Sequence, residues 1–265
     1  MTIDEIRMAA YLYEQGLSLK DVATRLGYKS ENTVGNAFRR NGIPIRSKAG
    51  FNNSVNHNTF DEINSEAKAY FVGMLLADGC VIERHNSQKQ IVLELQCEDK
   101  YIIEKLGKLI EATNKIYEAR GTARLAVHSD NIAMKLAKYG ITPRKTGKKI
   151  FQIMEIPKEY RRDFIRGFFD GNGWITYAKH GKHYMWSIGF ADSQELLCDL
   201  NKYLYDNGIV KARIKVVSHG GCHMLLFSAK RDVISLIYYL YDSSHIFLVR
   251  KYNKAISCID NTEKG

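Results

Sequence analysis

Two stretches of the chain are almost wholly apolar and then stop on a small polar turn. Tyr70 to Val81 reads YFVGMLLADGCV, closing on Ala77-Asp78-Gly79, and Phe164 to Ile175 reads FIRGFFDGNGWI, closing on Gly171-Asn172-Gly173. Each is followed by strand-like alternation that turns amphipathic, IVLELQCEDKYIIEKLGKLI from Ile91 and WSIGFADSQELLCDLNKYLYDNGI from Trp186. A second strand pair comes next, NKIYEARGTARLAVHS in one half and ARIKVVSHGGCHMLLFSA in the other, and each leads into a further helix. Gly73 and Gly167, Asp78 and Asn172, Gly79 and Gly173, Leu106 and Leu200 are all 94 positions apart. Each half therefore reads helix, hairpin, helix, hairpin, helix. One duplication of this length is too few for a solenoid. It predicts an α+β fold of two pseudo-two-fold-related subdomains, 65–158 and 159–265.

Residues 1–48 do not belong to the repeat. GLSLKDVATRLGYKSENTVGNAFRRNGI reads as a helix from about Ser18, a turn at Gly27 and a second helix from about Ser30, ended by Asn41-Gly42 and Pro44. Two short helices joined by a glycine-containing turn predict a small all-α helix-turn-helix domain. Seven basic residues lie between Lys20 and Lys48 against Asp21 and Glu31. DNA contact is therefore expected at Lys29, Arg39, Arg40, Arg46 and Lys48; a generic helical bundle is the plainer alternative. The polar stretch 49–64 reads as a linker.

The apolar helix of each repeat predicts burial on most sides. Small residues recur four apart, Gly73 with Ala77 and Gly167 with Gly171, which lets two backbones approach closely. The two copies are expected to pack on the pseudo-two-fold axis. Gly79 and Gly173 fall where a left-handed helix cap is expected, which puts Asp78 at the negative end of a helix dipole. Side-by-side packing brings position 172 near Asp78. Two carboxylates there would repel, and a divalent cation with oxygen ligands is the natural way to hold them. An Asp-Gly turn and nothing more is the bland alternative, disfavoured by repetition in register.

The 265 residues are 45% hydrophobic and carry a formal charge of +10 with a pI near 9.2. That balance points to a polyanionic partner. Between Asn131 and Met154 six basic residues stand with no Asp or Glu, which favours phosphate contact over a mixed solvated face. No signal-peptide core and no run of 18 apolar residues is present, so a soluble intracellular protein is expected. The five cysteines are far apart with no C-x-x-C, against a disulfide framework or zinc ribbon. HGGCH, from His219, reads as a hairpin turn rather than a metal cluster.

At FVGMLLADG (Phe71 to Gly79) and IRGFFDGNG (Ile165 to Gly173) the sequence resembles the LAGLIDADG homing endonucleases in their two-motif, single-chain form. FDEINSEAKAYFVGMLLADG and YLYDSSHIFLVRKYNK are typical of that family too, so the resemblance spans roughly Phe60 to Cys258. It implies two αββαββα units forming a saddle of β-sheets, with β-ribbons in the major groove of double-stranded DNA, and hydrolysis of both strands of a long asymmetric site. It implies Mg2+ as cofactor, with Mn2+ in its place or Ca2+ in non-cleaving complexes, bound by the last acid of each motif. Asp78 matches that acid in the first motif. Asn172 stands at the matching position in the second, a departure from the pattern.

Asp170 lies two residues upstream, roughly 200° around a helix from position 172, and a structural hydrogen-bonding role is expected of it. Lys145 and Lys251 match the basic residues that assist catalysis beside each metal. Lys148 and Lys149 are possible substitutes or phosphate contacts. In-line attack of water on phosphorus, with electrostatic stabilisation of developing charge, is the expected chemistry.

Base reading falls to the hairpins, where Arg84, Asn86, Gln88, Lys89, Lys179, Lys182 and His183 suit groove edges, with Lys230 as a further contact. Which alternation faces DNA is left open by the sequence. A monomer is expected, with no membrane or protein partner, in the cytoplasm of a bacterium or phage host and nucleoid-associated when bound. Asn172 leaves three readings open: a designed substitution, a natural one leaving a nicking enzyme, or a non-cutting DNA-binding regulator. Cleavage impaired or reduced to nicking is the favoured expectation. An RNA-splicing maturase is the alternative from another class, disfavoured because A-form RNA hides its major groove. Met1 and the closing NTEKG disfavour an intein.

Overall fold

The computed structural model describes residues 1–14, 17–45, 54–83, 88–143, 153–180 and 183–263. The chain divides into two compact units, Met1–Asn52 and Asn53–Gly265. The first holds α1 (Ile3–Glu14), α2 (Leu19–Arg25) and α3 (Glu31–Arg40). Ser18 and Ser30 cap α2 and α3 as expected. Ser18 and Asp21 form a reciprocal capping box, and the Ser30 hydroxyl accepts from the Asn32 N–H. Gly27 joins the two helices at φ +76°, a conformation that costs glycine nothing. Ala9, Tyr13, Val22, Ala23, Val34 and Phe38 form the unit's own small core.

The second unit repeats one topology. Its first half is α4 (Glu66–Ala77), β1 (Cys80–Ile82), β2 (Gln90–Gln96), α5 (Lys100–Leu109), β3 (Tyr117–Ala119), β4 (Thr122–His128) and α6 (Asp130–Ala137). Its second half is α7 (Arg161–Asn172), β5 (Gly173–His180), β6 (His183–Asp192), α8 (Gln194–Asp206), β7 (Val217–His219), β8 (Cys222–Phe227) and α9 (Lys230–Tyr241), followed by α10 (Val249–Glu263). Two antiparallel four-stranded sheets result, with orders β1-β2-β4-β3 and β5-β6-β8-β7. HGGCH is the hairpin turn its glycines predict: Gly220 and Gly221 both have positive φ, and His219 pairs with Cys222 across them.

One face of each sheet builds the core. Ile91, Leu93 and Leu95 on β2 alternate inward with Ala123, Leu125 and Val127 on β4, while Ile175, Ile188, Phe190, Leu225 and Phe227 do the same in the second sheet. Helices α4 and α7 pass through the middle, with nine residues of α4 and eight of α7 buried.

Part of the expected linker belongs to this core. Within 54–64, Phe60 and Ile63 are buried, and Asn56 donates its N–H to the Ile110 carbonyl. Its polar side chains hid two apolar anchors too widely spaced to read as an element.

Candidate functional site

Helices α4 and α7 touch through their backbones. A β-carbon on Gly73 would lie 2.0 Å from the Phe164 carbonyl oxygen, and one on Gly167 would lie 1.9 Å from that of Tyr70. Only hydrogen fits at either crossing point, so the small residues do what their spacing implies. One turn further on, a β-carbon on Gly171 would meet the Ala77 β-carbon at 2.3 Å and the Asp78 Oδ2 at 3.0 Å. The exposed Asp78 carboxylate thus lies against the last turn of α7, one residue from Asn172.

The expected left-handed caps are absent. Asp78 ends α4 in a right-handed conformation, and Gly173 leaves α7 extended, at φ −104° and ψ 170°. The glycines serve a different need, close approach. A β-carbon on Gly79 would lie 2.6 Å from a Leu75 methyl, and one on Gly173 would lie 2.2 Å from the Phe169 ring. The chain goes straight from helix to strand with no room for a side chain at the bend.

Buried polar groups lock this arrangement. Asp170 accepts from the Tyr70 and Tyr241 hydroxyls, each at 2.8 Å, and from the Leu248 N–H at 2.7 Å. Burial pushes its carboxyl up from the ordinary value, against the pull of Lys251 and those three donors. The structural role expected of Asp170 is the one it has. Arg166, fully buried, gives its guanidinium to Glu66 at 2.6 Å, Asp163 at 2.9 Å and the carbonyls of Ile246 and Leu240. Glu66 also accepts the His245 and Ile246 N–H groups. A charge inside an apolar motif was legible in sequence at Arg166, but its partners, far along the chain, were not.

Lys251 is held by backbone carbonyls. It lies almost buried on α10, and its ammonium donates to the carbonyls of Phe169 at 2.7 Å, Asp170 at 2.6 Å and Gly173 at 2.5 Å. All three protons are spent on carbonyls at the turn from α7 into β5, where helix-end carbonyls are short of partners. Its charge lies in the field of Asp170 and Asp78. Burial lowers its pKa to about 8 in spite of both carboxylates. Lys145, its symmetric counterpart in the sequence, falls outside the described residues, as do Lys148 and Lys149.

Asn172 donates from Nδ2 to Asp192 Oδ2 at 2.6 Å. Asp192, at the end of β6, was missed in the sequence, because Asp-Ser before an amphipathic run reads as an ordinary helix start. Among the described residues no three His, Cys, Asp or Glu side chains gather closely enough to hold a metal ion alone. The Asp78 carboxylate and the Asn172 amide oxygen are hard donors. They suit a small divalent cation that keeps several of its waters.

Away from the helices each sheet has an open face, and register assigns its residues. On the first it carries Gln90, Glu94, Gln96, Tyr117, Thr122, Arg124 and His128, with Gln90 and His128 3.0 Å apart. On the second it carries Trp174, Thr176, Ala178, Met185, Ser187, Gly189, Met224 and Leu226, with the Trp174 indole lying over Gly189. The first is mainly polar, while the second is apolar around Trp174, Met185, Met224 and Leu226, with exposed His183 on the same side at its hairpin end.

Solved structures that share this architecture include LAGLIDADG nucleases. I-AabMI, a LAGLIDADG meganuclease solved with uncleaved DNA, is 11% identical over 76% of this chain and 91% of its own, with a TM-score of 0.55. The I-SmaMI homing endonuclease, bound to cleaved DNA, is 14% identical over 76% of this chain and 89% of its own, with a TM-score of 0.52. The I-LtrWI homing endonuclease, bound to target DNA, is 10% identical over 75% of this chain and 91% of its own, with a TM-score of 0.52. The fold is that of the LAGLIDADG homing endonucleases. No protein-family model and no curated protein sequence matches the chain.

In the LAGLIDADG fold described here, the sequence-predicted contacts scatter. Lys179 pairs with Tyr184 on the face that also carries Ile175, Tyr177 and Trp186, so it belongs to the helix side of the sheet. Exposed Lys230 begins α9 on the same side, lining a cleft with Tyr177, Trp186 and Ile234. The reason is the strand period of two: odd positions of β5 follow Ile175 inward. His183 is exposed at the hairpin end, in register with His180.

Gln88 and Lys89 precede β2, where the Lys89 N–H donates to Asp130 and its ammonium lies 3.7 Å from Glu83. Lys29, Arg39 and Arg40 are exposed in the first unit. Arg46, Lys48, Arg84, Asn86 and Lys182 fall outside the described residues. No described helix is long and apolar enough to cross a membrane.

Proposed function

We propose that the protein is a site-specific endonuclease of double-stranded DNA, using a divalent metal such as Mg2+ and cutting its two strands at unequal rates. The observation that carries this reading is the Asp78 carboxylate held by helix packing against the end of α7, beside the neutral Asn172. When bound, the metal would polarise the scissile phosphodiester and offset charge on the attacking and leaving oxygens. Asp78 and Asn172 would hold it, the first with a charge and the second with an oxygen dipole alone. Lys251 fixes the C-terminal end of α7 and adds positive potential where negative charge develops.

The open faces divide the reading. Arg124, Gln90 and His128 suit hydrogen-bonding edges of one half-site, while Trp174, Met185 and Leu226 suit thymine methyl groups of the other. Residues 1–48, with exposed Lys29, Arg39 and Arg40, would add phosphate contacts as a helix-turn-helix. The net charge of +10 favours such a polyanion.

A target selected from a random duplex pool and cloned into supercoiled plasmid tests the reading. With Mg2+, nicked circles are expected to build up before linear DNA, and Asp78→Asn abolishes both. Tight binding with no cut strand at any metal concentration would instead make the protein a non-cleaving regulator. Equal competition by structured RNA would point to a maturase.

A further inference from the structure

Strand register locates the charge that position 172 lacks. Cys80 pairs with Val92, and its repeat mate Trp174 pairs with Gly189, so Val92 is equivalent to Gly189 and Leu95 to Asp192. The next strand agrees, since Leu95 pairs with Ala123 as Asp192 pairs with His223. In the first repeat the motif keeps its acid, Asp78, and the strand position is buried Leu95. In the second the motif ends on an amide, and the strand position carries the acid. The two repeats have exchanged charge between motif and strand.

In the second repeat these positions touch. Asn172 Nδ2 donates to Asp192 Oδ2 at 2.6 Å, and Asp192 Oδ1 accepts the Ser193 N–H at 2.7 Å. An ionised carboxylate only accepts hydrogen bonds, so the amide turns its nitrogen to Asp192 and its oxygen away. A carboxylate at position 172 would set two negative oxygens at that separation. Around the pair stand Asp78 against Gly171, the Lys251 ammonium on the last carbonyls of α7, and His223 across the strand from Asp192.

We propose that Asp192 supplies the second repeat's carboxylate to the metal corner, with Asn172 as a neutral oxygen donor that Asp192 orients. The proposal rests on the metal-dependent endonuclease reading. It gives each repeat one acid, Asp78 in a motif and Asp192 on a strand, and the unlike settings of the two acids keep the strands' cutting rates unequal. Oxygen donors and charge count both remain.

Mn2+ titration of the full chain, with free Mn2+ read by electron paramagnetic resonance, tests it. Asp192→Asn keeps an acceptor for the Asn172 amide and removes only the charge, so the fold should persist, as its melting curve will show. It is expected to weaken Mn2+ binding about ten-fold or more, as Asp78→Asn does. The exchanged pair N172D/D192N preserves both the hydrogen bond and the charge and is expected to restore binding. Unaltered affinity in Asp192→Asn, with loss in Asp78→Asn, would reduce Asp192 to a fastener and leave the endonuclease reading intact. A folded exchange variant that fails to bind would overturn the proposal as well. No Mn2+ binding by the unaltered chain would overturn the metal-dependent reading and this inference together.

Discussion

A β-carbon on Gly167 would press to 1.9 Å from the Tyr70 carbonyl oxygen, and backbone on both sides leaves nothing flexible to yield. Gly167→Ala should therefore cost about 3 kcal/mol as the helices are forced apart. Gly107, in the middle of α5, meets nothing closer than 3.8 Å, so Gly107→Ala should stabilise by about 0.5–1 kcal/mol through helix propensity alone. Chemical denaturation of the two variants checks both signs. Loss of stability in Gly107→Ala, or none in Gly167→Ala, would contradict the packing account. The Gly73 and Gly167 spacing was legible in sequence because sterics at a helix crossing depend on residue size. The partners of Asp170 were not, since Tyr70 and Tyr241 reach it from 100 and 71 residues away.

At the level of the element, the strand is what assigns a side chain to the open face or to core. Arg124 stands on the open face of the first sheet, beside Glu94 and Tyr117. Lys179 lies on the helix side of the second. Under the proposed function, Arg124→Ala should weaken binding of the selected target by about 1–3 kcal/mol and relax specificity at one base pair. Lys179→Ala should leave base preference unchanged. Fluorescence anisotropy against single-substituted targets measures both, and a specificity change confined to Lys179→Ala would reverse the assignment of faces. Sequence alternation showed that each hairpin has two faces. It could not say which was which at the hairpin of the second repeat, because Tyr177, Tyr184 and Trp186 on the inner face look as much like recognition residues as like core.

For the whole molecule, the two units have separate cores, one around Phe38 and one running from Phe60 to Cys258. Removing residues 1–52 should leave the larger unit folded with an unaltered melting profile of its own. If residues 1–48 bind DNA as proposed, the same truncation shortens the footprint on the selected target, weakens binding and flattens its dependence on salt. Nuclease footprinting reads the outcome, and an unchanged footprint would assign those residues to some other task.

The duplication, the α+β class, the two central helices and the position of their polar ends could all be read along the chain. They follow from local quantities: hydrophobic period, residue size, capping side chains and turn glycines. What the ends of those helices meet emerged only once the chain was folded. Folding set the Lys251 ammonium on the carbonyls at the end of α7, gave Gly79 and Gly173 a steric role in place of a left-handed one, and brought Asp192 to Asn172. A carboxylate's role depends on which groups lie within a hydrogen bond of it, and that distance is set by register across strands and packing across repeats.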